Sequence, residues 1–176
     1  LAVEKLAGIE PPLRAQYIRV ICCELARLAS HLVWLGTMAM DVGAVTVLLW
    51  GFRELEKIQD IWDVLTFGRF TTSFTRVGGL AQDITPEALG MIRGFLNQFP
   101  ANLNECENVL IKHRIFIDRR EAIGYMSKED AINYGLTGPM LRATGVDHDL
   151  RRDQPYLVYD KLEFDSYILG SDTPDR

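Results

Sequence analysis

Hydrophobic and polar positions along this chain recur mostly at the three- and four-residue steps of an α-helix. Ile18, Ile21, Cys22, Leu25, Leu28, Ala29 and Leu32 form one apolar stripe, with Arg14, Arg19, Glu24 and Arg27 falling between its members. That spacing predicts an amphipathic helix with the charged residues on its outer face. A second stripe runs through Val45, Leu48, Leu49, Phe52, Leu55, Ile58, Trp62 and Leu65 and stops near Gly68, with Arg53, Glu54, Glu56, Lys57 and Asp60 opposite it. The short link near Asp41–Gly43 predicts that the two helices pack antiparallel.

Upstream, Leu1–Leu6 reads as the tail of a helix already under way, and Pro11–Pro12 sets a turn before the first long one. Downstream, Thr71–Asp83 is polar and Gly-rich and predicts an irregular connection. Thr85-Pro86-Glu87 supplies an N-cap, a proline at the first helical position and an acid in the first turn. Leu89, Ile92, Phe95, Leu96 and Phe99 trace a third helix expected to end at Pro100, and Leu103, Cys106, Val109 and Leu110 a fourth. Ser127 to Asp130 has a capping pattern opening a short helix that stops at Gly135. Beyond Leu136 the expectation is turns and extended pieces, such as Tyr156–Tyr159 and Leu162–Phe164, and the end, Gly170–Arg176, is turn-rich and polar. The fold class is mainly α, with a helical core over about 14–112 and a short helix and extended segments over 120–176. The two ends read as those of a central fragment, 1–176, of a longer chain.

Charge and hydropathy narrow the function classes. A net charge of −5, with no Lys/Arg-rich run, speaks against nucleic acid as a partner. Leu32–Phe52 is long and apolar enough to suggest a membrane span, and Trp34 and Trp50 flank it. However, Asp41 would then lie near the bilayer centre at a cost of roughly 2.5–3.5 kcal/mol. Gly36, Gly43 and Gly51 weaken a span further, and both stripes continue outward as water-soluble amphipathic helices. Two buried helix ends meeting at a turn fit better.

Candidate chemistry is sparse. Cys22, Cys23 and Cys106 form no C-x-x-C pair, so reduced core thiols are expected rather than a metal cradle. His31 reads as a core histidine, not a ligand. Gly78–Gly79 lacks the rest of a phosphate loop, and Ser30 and Ser73 lack a hydrolase elbow. Asp41 stands out as a lone carboxylate among Thr37, Met38, Met40, Val42 and Ala44. It is either a turn residue capping backbone amides or an acid that titrates with a partner from elsewhere.

Several stretches together resemble one family. Leu1–Leu6, Arg14–Arg19, Glu24–Leu32, Leu35–Thr37, Asp41–Ala44, Phe52–Glu54, Arg76–Gly79, Gly135–Gly145 and Asp149–Arg151 follow, in order, the pattern of the quinone-site (D-type) subunits of NADH:quinone oxidoreductase, respiratory complex I. The resemblance implies the helical fold of nickel–iron hydrogenase large subunits, with small β elements at its flanks. It implies a peripheral location on the cytoplasmic face of a bacterial inner membrane, or the matrix side in mitochondria. Partners would be other peripheral-arm subunits, one of which carries the terminal iron–sulfur cluster. NADH is used by the complex and not bound by this chain, and the substrate reduced beside the cluster is a quinone.

By the family pattern Asp41 matches the acid that hydrogen-bonds a quinone-site histidine. Thr37, Leu48 and Leu49 match the quinone-cavity wall, and Thr71 stands where many relatives place a histidine near the partner's cluster. The family's own quinone-holding histidine and tyrosine fall before Leu1, so the isolated fragment is expected to be inactive. Val47-Leu48-Leu49 replaces a Pro-aromatic-aromatic stretch, which makes the wall less aromatic. Two alternatives share the pattern: the large subunit of a related membrane-bound nickel–iron hydrogenase, and a helical scaffold subunit that has lost the site.

Overall fold

The structure, a computed structural model, describes residues 1–121 and 123–168. Gly170–Arg176, expected to be turn-rich, lies outside the described residues. The chain divides into two units, Leu1–Phe116 and Ile117–Arg176.

In the first unit, α1 (Ala2–Ala7) is closed by Gly8 in the left-handed region, and Pro11–Pro12 separates it from α2 (Leu13–Asp41). α3 (Val45–Thr66) follows after a three-residue link, Val42–Ala44. The two are antiparallel: Gly36 lies against Leu48, and Gly51 against Leu32. A Cβ built on Gly36 would stand 3.0 Å from Leu48 Cδ1 and 3.2 Å from its Cα, and one on Gly51 would stand 3.1 Å from the Leu32 carbonyl oxygen. Gly36 and Gly51, two of the three glycines that weakened a membrane span, are the ones that let the helix backbones approach. Among the described residues no helix is long and apolar enough to cross a membrane. The apolar run Leu32–Phe52 is split between the end of α2 and the start of α3.

α4 (Pro86–Leu110) opens as expected, with the Thr85 hydroxyl accepting from the Ala88 amide at 3.2 Å. It does not end at Pro100; the third and fourth expected helices are one. Proline removes one amide donor, so the Leu96 carbonyl loses its partner. Both residues face outward, where that carbonyl is open to water, and Ile92, Phe95, Cys106 and Leu110 on the inner face hold the helix on both sides of the proline. The main core joins Ile18, Leu25 and Leu32 of α2, Ile58, Ile61 and Leu65 of α3, and Ala88, Ile92 and Phe95 of α4. A smaller cluster forms where α2 and α3 meet: Ala39, Val47, Leu110 and, from α5 (Arg114–Asp118), Phe116.

The Thr71–Asp83 connection is not wholly irregular. It contains an antiparallel pair, β1 (Thr75–Arg76) and β2 (Gly79–Leu80), turned by Gly78 at φ +83°. Four paired residues are too few to show alternation, so the periodicity carried no strand signal.

In the second unit, Ser127 caps α6 (Lys128–Asn133), accepting from the Asp130 amide at 3.1 Å, and Gly135 at φ +69° ends it, as expected. α7 (Gly138–Arg142) and α8 (Leu150–Asp153) follow. Tyr156–Tyr159 is not extended. It is a turn leading into a 3-10 helix over Tyr159–Lys161, because Tyr159 is buried and packs edge-on against Tyr156 and Phe164.

Candidate functional site

Four of the five expected site residues fall at one place, the turn between α2 and α3. Asp41 is the last residue of α2 and is exposed. Thr37, one turn earlier, is half-buried, and its hydroxyl donates to the carbonyls of Val33 (2.9 Å) and Trp34 (3.0 Å). Leu48 is half-buried against Gly36, while Leu49 is 64% exposed. The inner side of the turn is fixed by Ala39 and Val47 in the small cluster, and by the Ala44 amide donating to the Ala39 carbonyl at 2.8 Å. Its outer side is apolar and uncovered: Met40, Val45, Leu49 and Phe52 are all exposed. The stripe through Val45, Leu49 and Phe52 therefore does not face the core at this end; Val47, Gly51 and Glu54 do.

Thr71 lies on the loop beyond the far end of α3 and is exposed. That loop runs back along α3, because the Arg69 guanidinium bonds to Asp60 (3.0 Å) and to Glu56. Phe70 and Thr72 then form one wall of a cleft of about 560 Å³, with Val33 and Trp34 of α2 and Leu55 and Trp62 of α3 as others. Trp34 precedes Asp41 by seven residues, about 10 Å along a helix axis. A single face of α2 thus joins the cleft to the Asp41 turn. In the sequence Trp34 figures only as a membrane flank, and Arg69 does not stand out. The signal for Arg69 was Glu56 and Asp60, four apart on the outer face of α3, where two like charges call for a cation.

The residues that carry the resemblance also build two buried ionic centres, neither of which was expected. Arg19, assigned to a charged outer face, is 3% exposed and grips Glu4 through two bonds of 2.9 and 2.7 Å. It also donates to the carbonyls of Arg76 and Gly79, and the Gly78 amide donates to Glu4. Hydrogen bonds from Arg19 and then from Gly78 hold the Glu4 carboxyl at a pKa of about 2, against its burial. Leu1–Leu6, Arg14–Arg19 and Arg76–Gly79 thus meet at one point. In the second unit, Asp149 receives Arg151 at 2.7 Å and Ser166 at 3.1 Å, with Arg142 at 3.6 Å. Arg151 above all holds the Asp149 pKa down.

Glu54, also expected to face outward, is buried. Burial alone would raise its pKa, but hydrogen bonds from Lys57, Asn102 and Arg53 outweigh it and lower it. His31 is exposed, not a core residue, since the α2 face turned inward there carries Leu28 and Leu32. Cys22 and Cys106 are buried and all three cysteines are free. Burial pushes the Cys22 thiol up to about 12 and raises the other two, so none is primed as a nucleophile. Among the described residues, no group of three or more His, Cys, Asp or Glu side chains could hold a metal ion.

Residues 41–176 match the family described as respiratory-chain NADH dehydrogenase, 49 Kd subunit. The chain is 56% identical over 170 residues to the NADH-quinone oxidoreductase D subunit of Methylacidiphilum infernorum, covering 97% of this chain and 40% of that protein. It is 55% identical over 165 residues to a D subunit of the same enzyme from Chloroherpeton thalassium, covering 94% of this chain and 38% of that protein. With the D subunit of Geotalea uraniireducens the identity is 51% over 177 residues, covering all of this chain and 45% of that protein. The chain thus spans about two-fifths of the length of the curated relatives it matches. On this agreement along nearly its whole length, the chain belongs to the family of the 49 Kd, or D, subunits of respiratory-chain NADH dehydrogenases.

Proposed function

We propose that the α2–α3 turn forms part of the quinone-reduction site of an NADH:quinone oxidoreductase, in which this chain is the central part of the D-type subunit. The observation that carries the reading is a carboxylate, Asp41, set among exposed apolar side chains, Met40, Val45 and Leu49, on a turn whose inner side is fixed. An apolar rim around one acid suits a quinone, whose ring and tail need apolar contact while its two-electron reduction takes up two protons. Asp41 accepts a hydrogen bond from a histidine supplied outside this chain and stabilises it when charged. Thr37, Leu48 and Leu49 line the wall. The carboxylate loses its water when the rest of the complex covers the turn, and in that drier setting its pairing with histidine strengthens.

The cleft side of the same face meets the partner subunit that holds the terminal iron–sulfur cluster, with Thr71 nearest to it. Electrons from NADH, oxidised elsewhere in the complex, arrive through that cluster, and quinone reduction is coupled to proton translocation. The assembly sits at the membrane surface, on the cytoplasmic face in bacteria. This chain alone has no quinone reductase activity, because its site is completed by other segments.

The test is Asp41→Asn in the intact complex. Quinone reduction is expected to fall by about tenfold or more, below the 10²–10⁴ of a direct proton donor. Oxidation of NADH by artificial acceptors should be retained. Unchanged quinone turnover in an assembled complex removes Asp41 from the site and favours a scaffold that has lost it.

A further inference from the structure

α3 ends at Phe67, which occupies the left-handed region at φ +56° and leaves its ring 83% exposed. The turn out of α3 is started locally, by Phe67 and by the Thr66 hydroxyl donating to the Gly68 carbonyl at 2.9 Å; Arg69 then ties the chain back along the helix. Its guanidinium donates to Asp60 and Glu56, which lie 9 and 13 residues earlier and one turn apart on α3. The peptide after Gly68 therefore doubles back over the last turns of α3. This brings Thr72 and Phe70, the latter still 88% exposed, to the open rim of the cleft bounded by Trp34, Leu55 and Trp62. On the other side of the loop, Phe74 is 4% exposed in the main core. Thr71 is held on the crest between these two anchors.

We infer that Arg69 is the positioning residue of the 70–72 loop: bridging Glu56 and Asp60, it fixes the wall of the α2–α3 cleft and the place of Thr71. An arginine suits the task because its planar fork can reach two carboxylates at once, where a lysine offers a point charge. The three side chains are 44%, 61% and 54% exposed, so the clamp is screened by salt and contributes little to global stability. It selects a loop position without holding the fold together. The functional part of this inference rests on the proposed reading of Thr71; the structural part does not.

The experiment uses the intact complex with Arg69→Ala, Arg69→Lys and the pair Glu56→Gln/Asp60→Asn. Three things are read: amide hydrogen exchange over residues 67–73, the electron paramagnetic resonance spectrum of the partner's terminal cluster, and kcat and KM for quinone. Arg69→Ala should speed loop exchange by roughly threefold or more, as loss of a surface clamp allows. It should also alter the cluster spectrum and lower kcat more than it raises KM. The acid pair should reproduce these changes, Arg69→Lys should recover part of them, and high salt should speed exchange in the unsubstituted complex. Loop exchange unchanged in Arg69→Ala overturns the inference. Faster exchange with an unaltered cluster spectrum and unaltered quinone kinetics upholds the clamp and overturns the placement of Thr71 beside the cluster.

Discussion

Glu4 and Asp41 are both carboxylates within stretches that mark the family, yet their surroundings are opposites. Glu4 is buried, and its two oxygens are taken by Arg19 and the Gly78 amide, so α1, α2 and the β1–β2 hairpin all close on it. Asp41 is exposed at the end of α2, with apolar neighbours turned outward beside it. The first acid is spent on architecture: its demands are met inside this chain. The second has the local rigidity of a site and lacks the covering of one. Family-marking residues are thus of two kinds, and the satisfaction of their polar atoms separates them better than their identity does.

Three measurements bear on these two acids, and a fourth on the helix contact behind Asp41. The largest effect is expected from Arg19→Met, which leaves Glu4 buried with its strongest partner removed. Thermal unfolding of the full-length subunit should drop further for it than for any other variant named here, and Arg19→Met combined with Glu4→Leu should regain much of the loss. Recovery absent in the double variant would mean that Arg19 acts through its contacts to the Arg76 and Gly79 carbonyls instead. Next comes Gly36→Val, which forces a side chain into the Leu48 backbone; overpacking of this kind costs about 1–3 kcal/mol, readable by denaturant unfolding.

A smaller effect is expected from acid. Glu4 has a folded pKa of about 2 against an ordinary 4.5, so its stabilising contribution is complete above 4.5 and fades as pH falls towards 2. The melting temperature of the parent should decline more steeply between pH 5 and 3 than that of Glu4→Gln, and equal slopes would show that Glu4 is not the group responsible. The smallest stability effect belongs to Asp41→Asn, within about 0.5 kcal/mol as for exposed surface positions. A large destabilisation there would make Asp41 architectural, like Glu4, and erase the contrast.

How much of this was legible beforehand follows from what each signal measures. Periodicity found α2, α3, the start of α4 and the capped α6, because their apolar faces and caps are local. It placed Arg19 and Glu54 outside, since a charged residue reads as exposed unless its distant partners, Glu4 or Asn102, are known. Pro100 resembled a stop because the sequence does not reveal which way it faces. The β1–β2 pair was too short to register. Of the site, the grouping of Thr37, Asp41, Leu48 and Leu49 was foreseeable from a short link between two helices. The return of the Thr71 loop was not, because it depends on one arginine finding two acids 9 and 13 residues away.

The glycines at 36 and 51 have a mechanical consequence. At these two positions the facing helix comes within contact of the backbone: Leu48 Cα and Cδ1 at Gly36, and the Leu32 carbonyl at Gly51. Room for a side chain is therefore missing at two heights of the α2–α3 pair, so the spacing of the two helices just behind Asp41 is set by the backbones and cannot widen without losing these contacts.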